Sequence, residues 1–127
     1  MTQRRSISAL EKAQLLATAA CLLYTPDKEH FGIVPVEAMY ARTPVLAVDS
    51  GGPLESVRDG TTGFLRPQDP DQWAAAIATL LDDAQLRANM GDAGRARVVE
   101  TFSLAAFAKN LDRICRDLAA PGRRRRA

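Results

Sequence analysis

Two glutamates, Glu29 and Glu37, stand eight residues apart and enclose the run His30-Phe31-Gly32-Ile33-Val34-Pro35-Val36. A carboxylate beside a phosphate site can hold ribose hydroxyls, and a second one can face the same pocket from a loop. Pro35 suits the first turn of a helix. No Ser, Thr, Asp or Asn stands immediately before that helix to accept from its first amides. Those N–H groups need partners, and with the helix dipole behind them an anion such as phosphate suits as well as water does. Gly32 lets a ligand approach the backbone closely. A second loop, Ser50-Gly51-Gly52-Pro53-Leu54-Glu55, carries two consecutive glycines that fit a plain turn or a nest of amides around a ligand. Two glycine-bearing loops at neighbouring strand ends favour a pocket.

The bland readings stand beside these. Glu37, placed in the first turn of the helix, also suits the helix dipole without any ligand. Glu29 reads equally as a solvated loop residue, His30 as a satisfied polar residue and Phe31 as core. No Walker loop, GxGxxG, HExxH or GxSxG occurs.

The positioning elements follow from local signals. Ser8 and Glu11 form a capping box for a helix to about Ala19. Cys21 to Tyr24 reads as a buried strand ended by Thr25-Pro26, and Pro44 to Val48 as a second, wholly apolar one. Asp59-Gly60 makes a turn, and Gly63 to Leu65 a third strand. Asp69 and Pro70 open a helix to about Leu81. Another covers about Ala84 to Val99, weakened at Gly91 and Gly94, and Ser103 caps a last one to about Leu118. Helices alternating with apolar strands predict an α/β fold, a parallel sheet covered on both faces. Three strands make a short sheet for such a fold, which suggests a piece of a larger one with an open sheet edge.

Composition agrees with an ordinary globular chain: 127 residues, 46% hydrophobic, 25% charged, net charge +2. Four arginines, Arg123 to Arg126, supply the positive excess, and the body without them is slightly acidic, so no nucleic-acid surface is expected. That tail suits either solvent or an anionic lipid surface. Cys21 and Cys115 have no metal-type or CxxC spacing and are expected as buried free thiols. No apolar run is long enough to span a bilayer, and the chain is expected to be soluble.

The string from Glu29 to Glu37, continued by Ala38-Met39, resembles the E-x7-E signature of the family-4 retaining glycosyltransferases. Pro44-Val45-Leu46-Ala47-Val48, Ser50 to Ser56 and Gly60-Thr61-Thr62-Gly63-Phe64-Leu65 follow in that family's order. The resemblance runs from Arg5 to about Leu118. Tyr24-Thr25-Pro26, Glu29 to Pro35, Ser50 to Ser56 and Met90 to Val98 are most similar to the branch that adds α-1,3- and α-1,6-linked mannose to dolichol-linked oligosaccharide.

The resemblance implies the C-terminal, nucleotide-sugar-binding domain of a GT-B fold, a partial Rossmann-like domain over residues 1–120 with a basic tail at 121–127. It implies GDP-mannose as donor, a lipid-linked oligosaccharide acceptor, the cytosolic face of the endoplasmic reticulum membrane, and no cofactor or metal. Glu29 would contact the transferred sugar as the catalytic residue and Glu37 the ribose. His30, Phe31, Gly32, Ile33, Val34, Gly51 and Gly52 would line the sugar and diphosphate. Retention in this family is often assigned to front-face attack without a protein nucleophile. The family's basic pair on the diphosphate, its first strand and its N-terminal domain have no counterpart in this sequence. Arg42-Thr43-Pro44 lacks the glycine common before that proline. The chain alone is therefore expected to transfer no sugar. A non-catalytic nucleotide-binding module, or a family-4 enzyme with another nucleotide-sugar donor, are the competing expectations.

Overall fold

A computed structural model describes residues 8–119. Its centre is a three-stranded parallel sheet in the order β1-β2-β3, with β1 at Leu22–Tyr24, β2 at Val45–Val48 and β3 at Gly63–Arg66. Leu23 pairs with Leu46, and Leu46 in turn with Phe64. The expected α/β class and parallel strands are thus borne out. β2 is buried along its whole length, as an apolar central strand must be. β1 departs from the expectation of a buried strand: it is an edge, and Leu23 is 47% exposed.

Helix α1, Ala9–Thr18, begins at Ser8, whose hydroxyl accepts from the Glu11 amide, so the capping box forms as read. Helix α2 spans Ile33–Tyr40, and α3 is a short turn at Pro53–Ser56. Helix α4, Pro70–Asp82, is capped by Asp69, which accepts from the Asp71 amide. Helix α5 runs Ala84–Arg97, passes into a π-helical turn at Val98–Phe102, and α6 follows at Leu104–Ala119. The Ser103 hydroxyl at that junction donates to the Val99 carbonyl. The basic tail expected over 121–127 lies outside the described residues.

Alternation along the strands sorts side chains into two layers. Val45 and Ala47 join Leu16, Ala38, Met39, Val57 and Val98 in one core, against which Leu22, Tyr24 and Leu65 pack. Leu46 and Val48 point to the opposite face, where α4 packs against β2 and β3. Fully burying a residue such as Met39 or Val45 contributes roughly 1.5–3 kcal/mol. Thr43, just before β2, fastens α1 to this first layer: its buried hydroxyl donates to the Leu16 carbonyl near the end of α1.

Gly91 and Gly94 were expected to weaken α5, and the structure gives them a different role. A β-carbon on Gly91 would collide with the Arg42 carbonyl, and one on Gly94 would touch Met39 at 3.4 Å. These glycines let α5 lie close against the end of α2. The expected pair of buried thiols is half right: Cys21 is half-buried and burial raises its thiol above the ordinary value, whereas Cys115 is exposed. No helix among the described residues is long and apolar enough to cross a membrane.

Candidate functional site

The C-terminal ends of β1 and β2 release the two loops singled out in the sequence, and hydrogen bonds join them. The Ser50 hydroxyl donates to the Asp27 carboxylate at 2.5 Å and accepts from the Lys28 amide at 2.9 Å. One step further, the Gly52 amide donates to the Glu29 carbonyl at 2.8 Å. The glycine pair is required by this closeness. Gly51 has φ +62°, and a side chain there would run into the Glu29 backbone; a β-carbon on Gly52 would stand 2.6 Å from the His30 carbonyl. Asp27 and Ser50 therefore belong to the site's scaffold, although neither carried a chemical signature that would single it out.

Gly32 is the N-cap of α2, and among the described residues no side chain caps the helix. Pro35 is third in the helix and has no N–H, so the amides of Gly32, Ile33 and Val34 are those left without intrahelical partners. Ile33 is 66% exposed at this opening. The Phe31 ring, 47% exposed, packs against Phe102 with centroids 5.4 Å apart and a tilt of 42°. Phe31 is therefore neither free nor wholly core. His30 is exposed, and its backbone supports Gly52.

Glu29 is exposed, and its carboxylate accepts a hydrogen bond from the Tyr24 hydroxyl at the end of β1. That bond, with burial second, raises the Tyr24 phenol above its ordinary value. Glu37 differs from its reading in the sequence. Because α2 begins at Ile33, Glu37 falls in the second turn, too deep to complement the dipole at the helix start. Its carboxylate pairs instead with Lys12 of α1 at 2.9 Å, both side chains about one-third exposed. The structure thus unites Glu29, His30, Phe31, Gly32, Gly51 and Gly52 at one sheet end. It sets Glu37 toward α1, beside an apolar cleft of about 340 Å³ that includes Leu16, Ile33 and Tyr40. A second, open cavity of about 280 Å³ lies at the strand ends on the α4 side, lined by Thr25, Val48, Asp69 and Trp73.

Amides without helical partners at a helix start can hold a phosphate, and a carboxylate beside them, here Glu29, can hold hydroxyls. Together they suit a sugar carrying a diphosphate.

The "Glycosyl transferases group 1" family matches residues 5–97, and the chain belongs to that family. It is 52% identical over 113 residues to the alpha-1,3/1,6-mannosyltransferase ALG2 of Homo sapiens, covering 89% of this chain and 27% of that protein. With the corresponding protein of Candida albicans it shares 43% over 117 residues, covering 86% and 26%. The chain therefore spans about a quarter of the length of the curated relatives it matches. Among solved structures, Anabaena Alr3699/HepE in complex with UDP-glucose superposes with a TM-score of 0.72 at 31% identity, covering 83% of this chain and 29% of that one. The C-terminal domain of a group 1 glycosyl transferase from Francisella tularensis also reaches 0.72, at 23% identity, covering 80% of this chain and 53% of that one. It shows the shared fold. The fold is that of the GT-B glycosyltransferases.

Proposed function

We propose that this chain is the donor-binding part of a retaining mannosyltransferase of N-glycan precursor assembly. Its donor is GDP-mannose and its acceptor an early mannosylated chitobiosyl-diphosphodolichol at the cytosolic face of the endoplasmic reticulum membrane. The observation that carries the reading is the stitching of the Glu29 loop to the Gly51-Gly52 loop beside the uncapped start of α2. The 52% identity to a human alpha-1,3/1,6-mannosyltransferase supports mannose as the transferred sugar.

In this reading the Gly32, Ile33 and Val34 amides receive the diphosphate, and Glu29 contacts the mannose. Glu37 takes the ribose hydroxyls; its pairing with Lys12 holds its carboxylate in one place while leaving it partly open to solvent. His30, Phe31, Gly51 and Gly52 shape the pocket wall. No metal or cofactor takes part. The rate comes from positioning and from amides aimed at the charge growing on the departing diphosphate. Acceptor binding falls to a partner domain.

Ligand-induced thermal shift tests the donor. GDP-mannose should raise the melting temperature of the chain, as any ligand of the native state does, and UDP-glucose and ADP-glucose should not. A larger shift with UDP-glucose contradicts the donor assignment. Mixing the purified chain with GDP-mannose and the lipid-linked acceptor should yield no mannosylated product, and detection of product contradicts its dependence on a partner domain.

A further inference from the structure

We infer that Tyr24 is the positioning residue for Glu29, and that Gly32 is a glycine in order to let the Tyr24 hydroxyl through. The inference rests on the donor-site reading above and adds to it the means by which an exposed loop carboxylate keeps one orientation.

Glu29 lies on a loop with solvent on most sides, and a glutamate there samples several rotamers. One of its oxygens, Oε2, receives the Tyr24 hydroxyl, which comes from the last residue of β1. Tyr24 is itself anchored, because its ring packs on the core formed by Val45, Ala47 and α2. A rigid strand thereby fixes a side chain of the loop that follows it, and Oε1 is left for a sugar hydroxyl. The route of the phenol passes the N-cap of α2. A β-carbon on Gly32 would stand 2.5 Å from the Tyr24 hydroxyl oxygen and 3.2 Å from the ring carbon that bears it. Any side chain at Gly32 displaces the phenol, and the carboxylate loses its anchor. The direction of the Tyr24 shift, raised chiefly by Glu29, agrees with a phenol that donates to a carboxylate.

Two measurements on the full chain test this. In a Tyr40→Phe background Tyr24 is the only tyrosine, and its ionisation is read from tyrosinate absorbance. It should titrate above the ordinary value near 10.0, and Glu29→Gln should bring it down. An unchanged titration overturns the bond. Calorimetry with GDP and with GDP-mannose then reads the role. Tyr24→Phe and Glu29→Gln should each weaken GDP-mannose about tenfold while leaving GDP unchanged, and the double variant should lose no more than either single one. Equal losses for GDP and GDP-mannose in Tyr24→Phe overturn positioning in favour of general loop support. A loss confined to Glu29→Gln overturns the role of Tyr24 alone. A loss in neither variant, with the tyrosinate shift intact, overturns the sugar contact of Glu29. Failure of the unsubstituted chain to bind GDP overturns the donor site and the positioning role with it.

Discussion

The carbonyl of Arg42 occupies the space that a β-carbon on Gly91 would need. Helix α5 therefore meets the end of α2 backbone to backbone, and the core under the site depends on that approach.

Gly91→Ala is accordingly expected to destabilise the chain by about 1–3 kcal/mol, because the obstacle is main chain and cannot swing aside. Gly94→Ala is the control: its β-carbon meets Met39 at 3.4 Å, and alanine's helix preference offsets the crowding. Its effect should stay within about 1 kcal/mol. Urea denaturation midpoints of the two variants check the contrast.

Arg42 itself sits at φ +61°, just beyond the end of α2, where the Thr43 amide bonds to the Ala38 carbonyl and the Arg42 amide to the Met39 carbonyl. This is a Schellman end, and glycine is the residue it prefers. The left-handed conformation costs a non-glycine residue about 1–2 kcal/mol, part of which the greater freedom of unfolded glycine offsets. Arg42→Gly should therefore stabilise by up to about 1 kcal/mol, seen as a melting temperature a few degrees higher. The Arg42–Asp92 pair is too exposed, at 61% and 75%, for its loss to cancel the gain.

Two buried hydroxyls should behave oppositely. Thr43 donates to the Leu16 carbonyl, and Thr43→Val strands that acceptor at a cost of about 1–3 kcal/mol. The Ser56 hydroxyl is buried and has no hydrogen-bond partner among the described residues, so Ser56→Ala should be neutral or slightly stabilising. Thermal unfolding of both variants in one buffer distinguishes the cases.

The two thiols should separate in alkylation at pH 8. Cys115 is exposed and reacts first; Cys21 lags because burial raises its thiol, an effect Arg87 only partly opposes. A raised thiol favours the neutral form in the fold. Its contribution to stability is therefore full below the unfolded value near 9.0 and is lost as pH rises through the folded value. Cys21→Ala should flatten the fall of stability between pH 8 and 10, measured by urea midpoints at several pH values.

Much of this architecture was legible because its signals are local. Ser8 with Glu11 and Asp69 with Pro70 announce helix starts by cap chemistry, and the run Val45 to Val48 announces a buried parallel strand. The loops at Glu29 and Gly51 were legible as a pair because both carry glycine at neighbouring strand ends, although either alone fits a plain turn. What stayed hidden depends on contacts distant in sequence. Lys12 reaches Glu37 across 25 positions, and Gly91 reaches Arg42, with nothing in either local pattern to signal it. Pro35 does lie in the first turn of α2, but the helix starts two residues earlier at Ile33, which no local signal marks, and Glu37 therefore falls in the second turn rather than the first. Tyr24 read as the end of a strand, and its hydroxyl acquires a role only once Glu29 folds back beside it.

A donor site built on the stitched loops, with Glu37 on the ribose, should be visible in calorimetric titration with GDP, UDP and ADP, repeated on Glu37→Ala. Binding should be selective for GDP and lost in Glu37→Ala. Equal binding of all three nucleotides, binding that survives Glu37→Ala, or no binding of GDP contradicts it.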